Sequence, residues 1–227
     1  MACVCVMHNA GWILGFLFVY EFMVKMILGK KIGMSQIFDS HGSVVPVTFI
    51  EAGPITVIQK RTQEKDGYEA VQVGFGTRNK KNIAKPQQKH FGDLGAFRFV
   101  RELRPAGKSE LPDVGSTIDV AIFKEGDVVN VSGTTKSKGF QGVVKRHGFA
   151  GHNSSHGTKH AKREPGSIGG GLRTRVPSGM RMGGRMGGER VTIRRLKIVA
   201  IDVEKNILIV NGAVPGIPDG LLEIRGM

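Results

Sequence analysis

The sequence predicts a mainly β protein whose strands are interrupted by one long, basic, glycine-rich insertion. Three observations carry that expectation. Short β-branched runs alternate with turn residues from Val44 onward, the runs cease near Lys136 and resume in the 190s, and the stretch between them has a different composition.

The runs before the insertion are VVPVTFI (44–50), ITVIQK (55–60), AVQVGF (70–75), STIDVAIF (116–123) and DVVNVSG (127–133). Their Val, Ile, Thr and Phe content suits a pleated, half-buried surface. Asp39, Gly42, Gly53-Pro54, Asp66-Gly67 and Gly126-Asp127 fall between them, where turns need a fixed or positive φ. After the insertion come VTIRRLKIVAIDVEKNILIVNG (191–212), with a hairpin turn expected at Asp202–Asn206, and LLEIRG (221–226). Strands on both sides of an insertion imply one β-barrel or sandwich built from residues 26–135 and 195–227. Only residues 85–92 (KPQQKHFG) read as helical, and the bounding Pro and Gly hold that element to a turn or two.

The insertion, residues 136–194, holds 14 Gly, two Phe (Phe140 and Phe149) and no Trp or Tyr. It also holds most of the charge. The formal net charge is +14, with a pI near 10.1, yet residues 136–197 alone carry 15 Lys and Arg against Glu164 and Glu189. A segment so basic and so poor in apolar residues forms no core by itself and is expected to order on a polyanionic partner. As a hairpin of about 30 residues per arm it would reach at most about 80 to 100 Å at full extension. Bare glycine backbone would let such an arm pass between RNA helices while Lys and Arg pair with phosphates.

Length and composition bound the rest. The 227 residues suffice for one solid core, or one core plus an appendage. Cys3 and Cys5 are the only cysteines, too few for a disulfide framework or a structural zinc site, which points to a reducing cytosol. The apolar run AGWILGFLFVY (10–20) has eleven residues, short of the roughly 20 a membrane-spanning helix needs. No Lys or Arg precedes it, so it is also a poor signal peptide. Residues 1–25 are therefore expected to precede the natural start, with Met26 or Met23 as the initiator. A membrane-tethering tail is the competing reading.

Five stretches then carry a resemblance. GKKIGMSQIFD (29–39), TTKSKGFQGVVKRHGF (134–149), HGTKHAKREPGSIG (156–169), MRMGGRMGGERVT (180–192) and NILIVNGAVPG (206–216) are similar, in order, to signature stretches of the bacterial-type ribosomal protein L-three family. The resemblance covers essentially Met26 to Met227. It implies a six-stranded translation-protein-like β-barrel from which a long extension enters 23S ribosomal RNA near the peptidyl transferase centre. It also implies a structural role in early assembly of the large ribosomal subunit, in the cytoplasm, beside neighbouring large-subunit ribosomal proteins. Some bacterial relatives carry a methylated glutamine just after GSIG; this chain has Gly170 there, so that modification is not expected.

The expected RNA contacts follow the cations. Lys136, Lys138, Phe140 and Gln141 occupy the stretch similar to the family's arm entry, and Lys145, Arg146 and His147 follow it. A solvated basic loop is the bland alternative, but a solvated face rarely lacks acids so completely. His152, His156 and His160 recur every four residues, yet Gly151, Gly157 and Asn153-Ser154-Ser155 argue against a helix that would align them on a metal. Hydrogen bonding and stacking with RNA are expected of them instead, alongside Lys159, Lys162, Arg163 and Ser167. By resemblance, Arg173 lies near the tip of the extension, followed by Arg175. Arg181, Arg185 and Arg190 are spaced by methionines and glycine pairs, which allow close backbone approach to RNA. Lys30 and Lys31 either touch RNA from the barrel side or keep an edge strand soluble.

Gly107-Lys108-Ser109 resembles the end of a phosphate-binding loop, but Glu102 stands where that pattern needs glycine. No nucleophile elbow, paired zinc histidines or activated cysteine is found, so no catalytic residue, cofactor, metal, small-molecule substrate or membrane partner is expected.

Overall fold

The computed structural model describes residues 25–39, 41–104, 111–171 and 174–227. Its chain divides into two compact units, one formed by the residues up to Gly133 together with Thr192–Met227, the other by Thr134–Val191. The sequence motif Gly107-Lys108-Ser109, the N-terminal apolar run and Arg173 lie outside the described residues.

In the first unit, β1 (Met26–Phe38), β2 (Val44–Ala52), β7 (Val128–Thr134), β10 (Arg190–Asp202), β11 (Ile207–Asn211) and β12 (Leu221–Gly226) close into a six-stranded barrel in the order β1-β12-β7-β10-β11-β2. The alternation in these strands explains the closure. Leu208 and Val210 of β11, Leu222 and Ile224 of β12, and Val129 and Val131 of β7 point inward and are buried, as period-two side chains must when one face is sealed. Closure also accounts for the buried hydroxyls: Thr48 Oγ1 donates to the Gly212 carbonyl at 2.6 Å, and Ser132 Oγ lies 2.8 Å from Thr192 Oγ1. The strand runs expected at 44–50, 127–133 and 221–226 are all present, and the Asp202–Asn206 turn joins β10 to β11 with Asn206 at φ +54°.

Not every strand enters the barrel. Residues 55–118, expected to share it, instead supply a separate four-stranded sheet in the order β5-β4-β3-β6, from β3 (Ile55–Arg61), β4 (Ala70–Thr77), β5 (Phe97–Leu103) and β6 (Thr117–Ile118). One apolar core joins the two sheets, with Ile55, Val57, Val73 and Phe75 packed among barrel residues such as Ile27, Ile50, Ile198 and Leu208. The sheet's other face is covered by the helix Lys85–Phe91, whose Phe91 meets Ile58 and Ile83. Gly74 serves that packing, since a Cβ there would collide with the Phe97 ring.

Two further expectations are corrected. The run at 116–123 is strand only over Thr117–Ile118 and then tightens into a 3₁₀ turn over Val120–Ile122, which buries Val120 and Phe123 three residues apart. Besides the helix at Lys85–Phe91, one-turn helices occur at Gln63–Asp66 and Val143–His147, each ended by a left-handed glycine, Gly67 and Gly148. Among the described residues no helix is long and apolar enough to cross a membrane.

Candidate nucleic-acid interface

The Thr134–Val191 unit holds 12 Lys and Arg against Glu164 and Glu189. Among its described residues only Val143 is a buried apolar side chain, so it is held by backbone pairing rather than by a core. Its two ends run antiparallel. The Thr135 amide donates to the Glu189 carbonyl at 2.9 Å, Lys138 to Met186 at 2.9 Å, and Met186 back to Gly139 at 3.0 Å. β8 (Phe140–Gln141) pairs with β9 (Gly184–Arg185), setting Phe140 opposite Arg185. Gly187, at φ +75°, makes the pairing possible: a Cβ there would strike the Lys136 carbonyl oxygen.

Backbone pairing of this kind leaves the side chains outside. Lys136, Lys138, Phe140, Lys145, His152, His156, Lys159, His160, Lys162, Arg163, Ser167, Arg175, Arg181, Arg185 and Arg190 are all exposed, while Gln141, Arg146 and His147 are half-buried. The half-buried three are engaged internally. Arg146 Nη1 donates to the Met182 carbonyl at 2.8 Å, and His147 Nε2 lies 3.1 Å from the same oxygen. Gln141 Nε2 donates to the Lys138 carbonyl. Arg181 is exposed but also occupied, with its guanidinium 4.9 Å from the centroid of the Phe149 ring, a cation–π contact. Ser167 Oγ donates to the Gly169 carbonyl at 2.7 Å.

The three regularly spaced histidines share no helix face. Residues 152–160 follow bends and a turn, with His156 at φ +58°. Their neighbourhood is organised by Gly151 and Lys162: the His152 amide donates to the Lys162 carbonyl at 3.2 Å, and a Cβ on Gly151 would collide with that oxygen. Among the described residues no group of three or more His, Cys, Asp or Glu is placed to hold a metal ion.

Lys30 and Lys31 belong to the first unit and are tied into it. Lys30 Nζ lies 3.7 Å from a Glu51 carboxylate oxygen and 5.7 Å from the Phe75 ring centroid, and Lys31 Nζ donates to the Val214 carbonyl at 2.9 Å. Their strand is not an edge, since β1 pairs with both β12 and β2. Keeping an edge soluble is therefore not their task.

The first unit balances its charges where the second does not. Lys25–Asp127 at 3.2 Å, Lys60–Asp113 at 2.7 Å, Arg61–Asp66 at 2.5 Å and Arg101–Glu223 at 3.4 Å are ion pairs within it. Around Arg61 the pairs form a cluster. The Tyr68 hydroxyl donates to Glu102 at 3.1 Å, which raises the phenol pKa, and the Arg104 guanidinium stands 4.7 Å from the Tyr68 ring centroid. The hydrogen bond to Asp66 raises Arg61 further, and the Lys60 ammonium holds the Asp113 carboxyl below the usual aspartate range. With acids so matched in one unit and so scarce in the other, the exposed cations of Thr134–Val191 form the surface suited to a polyanion.

Comparison with known proteins agrees with the motifs. A family model described as "Ribosomal protein L3" matches residues 113–206. Curated relatives described as "Large ribosomal subunit protein uL3" include that of Herpetosiphon aurantiacus, 48% identical over 204 residues, or 89% of this chain and 96% of the relative. That of Cutibacterium acnes is 48% identical over 90% of this chain and 93% of its own length. That of Geobacillus thermodenitrificans is 48% identical over 89% of this chain and 96% of its own length. Identity this high, sustained over most of both chains, means that the chain belongs to the ribosomal protein L3 family.

Proposed function

We propose that the chain is a structural constituent of the large ribosomal subunit that binds 23S ribosomal RNA directly. In this reading residues 26–135 and 195–227 form a translation-protein-like barrel domain, and residues 136–194 an extension that penetrates the RNA, supports early subunit assembly and buttresses the region near the peptidyl transferase centre. The setting is the cytoplasmic ribosome, and neighbouring large-subunit ribosomal proteins are its other partners. Its work is mechanical: the family is one of ribosomal proteins, not of enzymes.

The observation that carries the reading is the concentration of exposed cations on one unit that has almost no core and only two acids. A surface of that kind gains its affinity by displacing counterions from phosphates, and affinity gained so falls steeply with salt. Phosphate contacts position a protein on RNA without reading its sequence, so specificity comes mainly from the RNA's shape.

The test is ultraviolet crosslinking in growing cells, with sequencing of the attached RNA and mapping of the crosslinked peptides. Peptides from 136–194 joined predominantly to large-subunit ribosomal RNA are expected. Diverse RNA, or crosslinks that avoid that segment, would replace this reading with a general RNA-binding role.

A further inference from the structure

The two phenylalanines of the basic unit have opposite surroundings. Phe149 is half-buried, with Arg181 over its ring and the His147 ring centroid 6.0 Å away. Phe140 is 78% exposed, the most exposed phenylalanine among the described residues. Its backbone is nevertheless fixed by pairing with Arg185, and by the bonds between Lys138, Gly139 and Met186 just before it. Beside the ring lies bare backbone: a Cβ on Gly183 would stand 3.4 Å from Phe140 Cε1 and Cζ, so any larger residue there would crowd it. Arg185 leaves the ring uncovered, because its guanidinium turns toward Gly188.

An apolar ring held out into water on a rigid hairpin gains free energy when a partner covers it. The partner's chemistry is set by what flanks the ring. Lys136 and Lys138 precede it and Arg185 faces it, all exposed. A protein pocket that received the ring would have to desolvate those cations against apolar walls. A nucleobase offers a π-face to the ring while its own backbone brings phosphates to the cations.

We propose that Phe140 is a stacking platform for a single unpaired nucleobase, with Lys136, Lys138 and Arg185 engaging the phosphates beside it. This rests on the RNA-binding reading and deepens it: Phe140 takes a base, whereas Lys136, Lys138 and Arg185 take the backbone beside it. Phe149, covered by Arg181, takes none.

The experiment uses the full chain and two RNA hairpins, one fully paired and one carrying 2-aminopurine as a single-nucleotide bulge. Stacking quenches 2-aminopurine fluorescence, and anisotropy of an end label reports total binding. The expected result is that the parent quenches the bulged base and prefers the bulged hairpin by about fivefold or more, in line with base–aromatic stacking. Phe140→Leu loses both quenching and preference while its affinity for the paired hairpin stays within twofold. Phe140→Trp retains both. Quenching by Phe140→Leu equal to that of the parent would overturn the proposal while leaving RNA binding intact. Failure of the parent to bind either hairpin at low salt would overturn the RNA-binding reading itself, and this inference with it. Because residue 140 is exposed, the Leu variant keeps the fold, and unchanged amide exchange at Lys138 and Met186 verifies that.

Discussion

Arg146 donates to the carbonyl oxygen of Met182, 36 residues further along the chain, and so joins the two sides of the basic unit. A guanidinium used this way braces the unit, whatever its remaining N–H groups meet. Hydrogen bonds from charged donors contribute about 1.5 to 3 kcal/mol, and His147 shares the same acceptor, so Arg146→Ala is expected to destabilise the local fold by about 1 to 2 kcal/mol. Hydrogen exchange should accelerate at residues 138–141 and 184–186. Lys145→Ala, its exposed neighbour on the same one-turn helix, should leave that protection unchanged and weaken RNA binding only.

Gly187 has the same kind of structural role on the backbone. Gly187→Ala meets both a left-handed φ and the Lys136 carbonyl, whereas Gly139→Ala, at φ +69° with open space around it, meets the φ alone. The φ penalty is about 1 to 2 kcal/mol for each. Gly187→Ala should therefore open the Lys138–Met186 pairing, read as lost amide protection, while Gly139→Ala should only loosen it. Equal effects from the two variants would show that the close approach at Lys136 is unimportant.

The cations should separate by salt dependence. Each phosphate contact removed from single-stranded RNA or a duplex lowers the slope of log affinity against log salt by about 0.7 to 0.9. Lys136→Ala, Lys138→Ala, Lys159→Ala and Lys162→Ala are expected to show that change without altering the melting temperature. Lys31→Ala should do the reverse, because its ammonium is bonded to the Val214 carbonyl. Its expected signature is a lower melting temperature, equivalent to about 1 kcal/mol, with an unchanged salt slope.

These contrasts also mark what the sequence could reveal. The alternation in Ile207–Asn211 and Leu221–Gly226 announces which side chains face a core, and the glycine and asparagine turns announce where strands end. Alternation gives a strand its buried face but not its partner. The runs at 44–50 and 55–60 look alike and are separated by a few residues, yet β2 pairs with β1 and β11 while β3 pairs with β4 and β6. β5 is hidden in the sequence although Phe97 and Phe99 alternate with Arg98, because Arg101 and Glu102 break the apolar pattern. In the basic unit, composition marks the polyanion-binding surface, but nothing local distinguishes Arg146 from Lys145 or Phe140 from Phe149. Those differences are made by Met182 and Arg181, more than 30 residues away.

Tyr68 and Asp113 predict opposite pH responses in the first unit. The Tyr68 phenol is raised by donating to Glu102, so its contribution to stability is complete below the ordinary tyrosine value of about 10 and is lost as pH rises through the raised value. The Asp113 carboxyl is lowered by the Lys60 ammonium, so its contribution is complete above about 3.9 and is lost as pH falls through the lowered value. The stability gap between the parent and Tyr68→Phe should therefore narrow in alkali, and that between the parent and Lys60→Met should narrow in acid. Denaturant melts across pH check both, and a gap constant with pH would remove either linkage.

Every buried apolar side chain among the described residues except Val143 lies in the first unit, and the Thr135 amide and Glu189 carbonyl are hydrogen-bonded at 2.9 Å. Replacing residues 136–188 by a short Gly-Ser turn thus removes almost no core and joins ends that already meet. The shortened chain is expected to melt cooperatively, with a midpoint within a few degrees of the parent, because stability follows buried apolar area. By contrast, Ile27→Ala or Leu222→Ala in the full chain should cost about 2 to 5 kcal/mol, since both side chains are buried at the centre of the shared core. The shortened chain should also fail to support subunit maturation in cells, despite being folded. Loss of cooperative melting would mean that the basic unit contributes to the folding of the barrel, and normal yields of mature subunits would mean that its cations are dispensable for assembly.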